Sequence, residues 1–67
     1  MTIFFNNNLQ QIQEQTTVLL LLDQLMSNKQ NGIAVAINET VIPKGQWDTH
    51  VLQSNDKVLV IKATQGG

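Results

Sequence analysis

Apolar and polar residues alternate near both ends of the chain, which is the spacing of β-strands. Residues 2–6 predict a strand in which Ile3 and Phe5 share a face, because successive strand side chains point to opposite sides. Residues 9–13 predict a second, weaker strand. Three asparagines at 6–8 lie between the two runs, and asparagine tolerates the left-handed conformations that tight turns need. This first stretch is therefore predicted to be a β-hairpin.

The spacing of apolar residues then changes to that of a helix. Thr16 or Thr17 can cap this helix, and it is predicted to run to about Ser27, with residues 28–32 ending it. Four apolar residues fall on one helical stripe and are expected to face the core: Val18, Leu21, Leu22 and Leu25.

The second half of the chain returns to strand-like patterns. The predicted elements are a strand at 33–37, a tight turn at 38–39, a strand at 40–42, an irregular or short helical stretch at 44–52, a turn at 54–56 and a final strand at 57–63. Large side chains lie on one face of the 33–37 strand and alanines on the other. Pro43 closes the 40–42 strand, since proline cannot join a central ladder.

This order of elements in so short a chain predicts an α+β architecture of the β-grasp type. One helix crosses one face of a mixed sheet of four to five strands, and the first and last strands are parallel neighbours at its centre. Residues 1–63 form one domain, and residues 64–67 form a flexible tail. The residues expected between helix and sheet are Ile3, Phe5, Val18, Leu21, Leu22, Leu25, Val35 and Ile37.

Composition narrows the classes of function. The chain has 67 residues, 42% of them hydrophobic, a net charge of −1 and no cysteine. Four scattered lysines do not resemble the basic patch of a nucleic-acid-binding protein, and the lack of thiols excludes disulfides and a cysteine nucleophile. The longest unbroken apolar run, residues 18–22, is too short to span a membrane. Residues 1–5 lack the basic start of a signal peptide, so a cytoplasmic or plastid-stroma protein is expected.

The chain closes on two glycines, Gly66 and Gly67, directly after the last predicted strand. Glycine loses more conformational freedom than any other residue when it is ordered, so a folded domain gains little from this ending. One interpretation is a frayed end or a cloning remnant. The other is that the α-carboxylate of Gly67 is the reactive group, and that the two glycines, which have no side chains, can thread a narrow channel in a partner.

Several motifs, taken in order, give the chain a family resemblance. They are the block at 36–47 (AINETVIPKGQW), the block at 51–58 (VLQSNDKV), Phe4-Phe5-Asn6 near the front and the final Gly-Gly. Together they resemble the thiamin-biosynthesis sulfur carrier (ThiS) family, which has a ubiquitin-like β-grasp fold. The chain departs from that family at Glu14-Gln15 and at Asn55, where the family usually has glycine. It also departs at Leu19 and Leu20, which are usually polar.

The resemblance implies a mechanism centred on the end of the chain. An adenylating enzyme related to ubiquitin-activating (E1) enzymes uses ATP to convert the Gly67 carboxylate to an acyl-adenylate. A persulfide sulfur, supplied through a cysteine desulfurase, displaces AMP to give a Gly67 thiocarboxylate. Thiazole synthase then receives the sulfur, and Gly66 allows the tail to thread. On this view the chain is a consumed sulfur donor and no enzyme; it binds no cofactor or metal itself, and ATP belongs to the partner.

Other functions and residue roles remain open. A sulfur carrier like the small subunit of molybdopterin synthase is one alternative, although the short chain and the 43–47 block favour the thiamin carrier. A ubiquitin-like protein modifier or interaction domain is another. Trp47 is expected to pack over the sheet edge rather than anchor a partner, and His50 to lie at the surface or cap a turn rather than bind metal. The leucines at 19 and 20, with Met26, form either a partner-binding apolar patch or isolated exposed side chains.

Overall fold

One helix lies across one face of a five-stranded sheet in the computed structural model, which describes residues 1–26 and 32–62. The strands are β1 (Thr2–Phe5), β2 (Asn8–Gln11), β3 (Ile33–Ile37), β4 (Thr40–Ile42) and β5 (Lys57–Lys62). The helix α1 spans Val18–Met26, and a short 3₁₀ helix spans Lys44–Gln46. Each predicted element within the described residues is present: β3 and β4 have the predicted bounds, and the ends of β1 and β2 differ from them by one or two residues.

The last strand lies at the centre of the sheet. The strand order is β2-β1-β5-β3-β4, and β1 and β5 are parallel while the other pairs are antiparallel. The prediction that the first and last strands are parallel neighbours at the centre is confirmed. Ala63, predicted as the end of β5, lies outside the described residues.

Two tight turns connect β1 to β2 and β3 to β4. Asn6 and Asn7 have φ of 50° and 69°, and Asn38 and Glu39 have φ of 50° and 71°. Positive φ at both central residues is the geometry that matches the twist of a two-residue β-hairpin. Both turns predicted from the sequence are therefore confirmed.

Thr17, rather than Thr16, caps the helix. The backbone N–H of Leu20 donates to Thr17 Oγ1 over 3.2 Å. The Thr16 side chain is buried and donates to the Gln13 carbonyl oxygen. The predicted end of the helix at Ser27 lies outside the described residues.

The core lies between α1 and the sheet. Its buried hydrophobic residues are Ile3, Ile12, Val18, Leu21, Leu22, Val35, Ile37, Ile42, Trp47, Leu52 and Val58. Two residues that were predicted to be buried in the core are not fully buried: Phe5 is partly buried against this cluster, and Leu25 is 38% exposed. Leu25 has the right angular position but belongs to the last turn of the helix, where Met26 packs against the core instead.

The stretch from Trp47 to Leu52 folds back under the start of the helix. Trp47 is buried and its indole N–H donates to the Ile42 carbonyl oxygen, which confirms that it packs within the fold. The Val18 N–H donates to the His50 carbonyl oxygen over 3.0 Å, and the Leu52 N–H donates to the Thr16 carbonyl oxygen over 2.9 Å. These bonds fix the helix start, so the loop is a structural part of the domain.

Candidate functional site

The residues predicted to carry the chemistry, Gly66 and Gly67, lie outside the described residues. The structure does describe β5, the strand that leads to them. Val58 of β5 is buried and Val60 is partly buried beneath the helix, whereas Leu59 and Ile61 are 43% and 52% exposed on the opposite face. The strand before the tail is therefore anchored in the core on one side and presents apolar side chains to solvent on the other.

The outward face of the sheet carries a row of apolar residues with members on all five strands, although Lys57 of β5 is the residue paired with Phe4. The register places Leu9 beside Phe4 on β2 and β1, and Ala36 beside both Leu59 and Val41 on β3, β5 and β4. Leu9 and Val41 are each about two-thirds exposed. The small side chain of Ala36 on β3 lines a shallow hollow of about 220 Å³ next to Phe4 and Leu59.

This apolar row was not predicted from the sequence. The signal was present: Leu59 and Ile61 are large apolar residues at the outward positions of β5, and the alanines of β3 share that face. Recognising the row required the strand order, because its members come from distant parts of the chain. Two charged residues, Glu39 and Lys57, line the same hollow, and Lys57 lies opposite Phe4 within the row.

The apolar patch considered on the helix does not form as a single surface. Leu19 and Met26 are partly buried against the core, and Leu20 is 49% exposed. Leu20 therefore stands apart from those two residues. Core packing accounts for the apolar residue at position 19.

Polar side chains hold the turn that precedes β5. Asp56 is buried: its Oδ2 accepts the Gln53 N–H at 2.8 Å, and its Oδ1 accepts the Asn38 side-chain N–H at 3.0 Å. Asn38 Oδ1 in turn accepts the Lys57 N–H at 3.0 Å. Asn55 has φ of 70°, a left-handed conformation that asparagine tolerates better than most residues. These residues position the start of β5.

Within residues 1–26 and 32–62, no group of three metal-ligating side chains forms, and His50 is half-buried. In the same ranges, no helix is both long and apolar enough to cross a bilayer.

A mixed five-stranded sheet with its last strand at the centre and one helix across it defines a ubiquitin-like β-grasp protein. The crystal structure of a thiamine biosynthesis protein (ThiS) from Geobacter metallireducens has the same fold, with a TM-score of 0.88 and 22% identity over the whole of both chains. The ThiS family model matches residues 3–67. The sulfur carrier protein ThiS of Escherichia coli K12 is 39% identical over 67 residues, which is the whole of both chains. The chain therefore belongs to the ThiS family of sulfur carrier proteins.

Proposed function

We propose that this chain carries sulfur for thiamin biosynthesis as a thiocarboxylate on Gly67. The observation that carries the proposal is that the family match runs through Gly66 and Gly67 to residue 67. The Escherichia coli relative, named a sulfur carrier protein, aligns over the same full length. The residues that would react thus fall within the region of similarity.

The chemistry starts from an unreactive group. An α-carboxylate is ionised at neutral pH and is a poor electrophile. An adenylating enzyme related to ubiquitin-activating enzymes joins the Gly67 carboxylate to AMP from ATP and releases pyrophosphate. The acyl-adenylate that results has a good leaving group, because AMP departs with the bonding electron pair.

Sulfur is transferred to the Gly67 carbonyl carbon in two steps. A persulfide, charged through a cysteine desulfurase, attacks the Gly67 carbonyl carbon and expels AMP, which leaves an acyl disulfide. A thiol then attacks the sulfur of the cysteine that carried the persulfide and forms a disulfide with it. The electron pair of the broken S–S bond leaves with the acyl-bound sulfur, which releases the Gly67 thiocarboxylate. This nucleophilic sulfur passes to a thiazole synthase, which builds the thiazole ring.

The adenylating enzyme is the proposed occupant of the apolar row on the outward face. Leu59 and Ile61 lie on β5, the strand that continues towards Gly67. An enzyme that holds the tail in its active site is thereby brought against this face. Exposed apolar side chains next to each other commonly mark such protein interfaces.

The mass of the intact chain tests the proposed chemistry. The chain is incubated with ATP, an adenylating enzyme and a persulfide source, and its mass is expected to rise by the difference between a sulfur and an oxygen atom. A chain lacking Gly67 is expected to keep its melting temperature but show no increase. A conjugate to a lysine of another protein would instead indicate a modifier, and an unchanged mass would contradict the proposal.

Substitutions on opposite faces test the docking surface. Leu59→Glu is expected to raise the KM of the adenylating enzyme for the carrier roughly tenfold, since central apolar contacts dominate interface energies. Leu20→Glu is the matched control, because Leu20 is similarly exposed but lies on the helix. An equal KM for both variants would show that the enzyme docks elsewhere.

A further inference from the structure

The side chain of Asn6 extends the hydrogen bonding of β1 along β5. The Phe4 N–H donates to the Asp56 carbonyl oxygen and the Asn6 N–H donates to the Val58 carbonyl oxygen, each over 2.9 Å. At Asn6 the chain turns away into the first hairpin. Its Oδ1 atom nevertheless accepts the N–H of Val60 at 2.8 Å, a contact between residues 54 positions apart.

This bond marks where β5 changes from being held on both sides to being held on one. Backbone pairing with β1 reaches Val58, and Asn6 adds a contact at Val60. Pairing with β3 continues further, to Lys62 opposite Ile33. Among the described residues, Val60 is thus the last residue of β5 with a hydrogen-bond partner on the β1 side. It lies seven positions before Gly67.

We propose that Asn6 is a positioning residue that orients the end of β5, the strand from which the chain continues to Gly67. This inference rests on the proposed function, in which the carboxylate of Gly67 must reach the active site of the adenylating enzyme. Loss of the hydrogen bond at Val60 frees the end of β5 on its β1 side. The end of β5 then points less often in the direction that brings Gly67 into the active site of the adenylating enzyme. Orientation of a reacting group contributes directly to rate.

Asparagine meets two separate requirements at this position. Its φ of 50° is left-handed, which asparagine, aspartate and glycine tolerate better than other residues. Its side-chain oxygen supplies the acceptor for Val60. Aspartate retains both properties, whereas glycine retains the turn and removes the acceptor. The pair Asn6→Asp and Asn6→Gly therefore separates the hydrogen bond from the turn.

The experiment measures amide exchange, melting temperature and adenylation kinetics for both variants. In Asn6→Gly, exchange of the Val60 amide is expected to rise roughly tenfold, because a hydrogen bond to that amide is lost. Its kcat for adenylation is expected to fall about three- to tenfold, the equivalent of one such bond, with little change in KM for the carrier. Asn6→Asp is expected to restore both values. Asn55→Gly is the control for placing glycine at a residue with positive φ, because Asn55 also has positive φ but lies at the other end of β5.

The outcomes separate this inference from the proposed function. Adenylation of Asn6→Gly at the natural kcat, or an equal loss in Asn6→Asp, would overturn the positioning role. An effect on KM instead of kcat would assign Asn6 to docking and overturn it as well. If the natural chain itself is not adenylated, the proposed function fails, and the tail-directing role falls with it whatever the Val60 exchange rate shows.

Discussion

The indole N–H of Trp47 donates a 2.9 Å hydrogen bond to the carbonyl oxygen of Ile42, and both residues are buried. Ile42 is the last residue of β4, and Pro43 follows it. The bond thus satisfies a carbonyl where the sheet ends. Trp47→Phe keeps an aromatic ring but removes the donor, so it is expected to lower the free energy of unfolding by about 1–3 kcal/mol in urea titrations. A loss below about 0.5 kcal/mol would show that the carbonyl finds another partner.

The helix offers a matched pair of leucines that tests the core. Leu22 has no exposed surface, whereas Leu25 is 38% exposed three residues later. Leu22→Ala is expected to cost about 2–5 kcal/mol, the usual cost of deleting a buried leucine side chain. Leu25→Ala is expected to cost less than about half of that, because part of its side chain is already in water. Equal losses in thermal or urea unfolding would contradict the described packing at the end of the helix.

Local pattern was sufficient to predict the strands, the turns and the central pairing of β1 with β5. It failed for residues whose environment depends on distant chain segments. Ile12 and Leu52 lie outside the regular elements, yet both are buried. Ile12 exchanges backbone hydrogen bonds with Met1 beyond the end of β2, and Leu52 lies in the loop that folds under the helix start. Periodicity reports neither contact.

For the same reason, only the part of the candidate site that lies in one stretch of the chain was predicted from the sequence. The terminal glycines could be identified because their chemistry is local, and their role stays a prediction. The apolar row on the outward face has members on β2, β1, β5, β3 and β4, so it can be recognised only when the strand order is known. The bond between Asn6 and Val60 likewise connects the first hairpin to the last strand.

The turn before the helix contains a residue in an unfavourable conformation. Gln15 is exposed and has φ of 66°. Left-handed backbone costs a side-chain-bearing residue about 1–2 kcal/mol, and glycine's extra entropy loss offsets about 0.5–1 kcal/mol. Gln15→Gly is therefore expected to raise the free energy of unfolding by about 0.5–1 kcal/mol.

The neighbouring residue provides the control for that substitution. Glu14 is exposed and is not among the residues with positive φ, so glycine relieves nothing there. Glu14→Gly is expected to lower the free energy of unfolding by about 0.5–1 kcal/mol through backbone entropy. If both glycine variants shift the melting temperature in the same direction, strain at Gln15 is not the cause.

Leu20 occupies a position where a charge is expected to help the helix. Thr17 is the cap, Leu20 is the third helical residue, and the first turn of α1 has no acidic side chain. Leu20→Glu creates the Thr-x-x-Glu capping box, in which the glutamate accepts the N–H of the capping residue. A negative charge also interacts favourably with the N-terminal end of the helix dipole. We therefore expect Leu20→Glu to be at least as stable as the natural chain.

Leu20→Lys isolates this electrostatic effect, because it loses similar apolar contacts and has the opposite charge. Leu20→Glu is expected to exceed it in free energy of unfolding by about 0.5–1 kcal/mol, and added salt should reduce the difference. Equal stabilities at low salt would argue against Thr17 as the cap. If Leu20→Glu unfolds the domain, Leu20 faces the core and the assignment of Val18, Leu21 and Leu22 as the buried stripe is wrong.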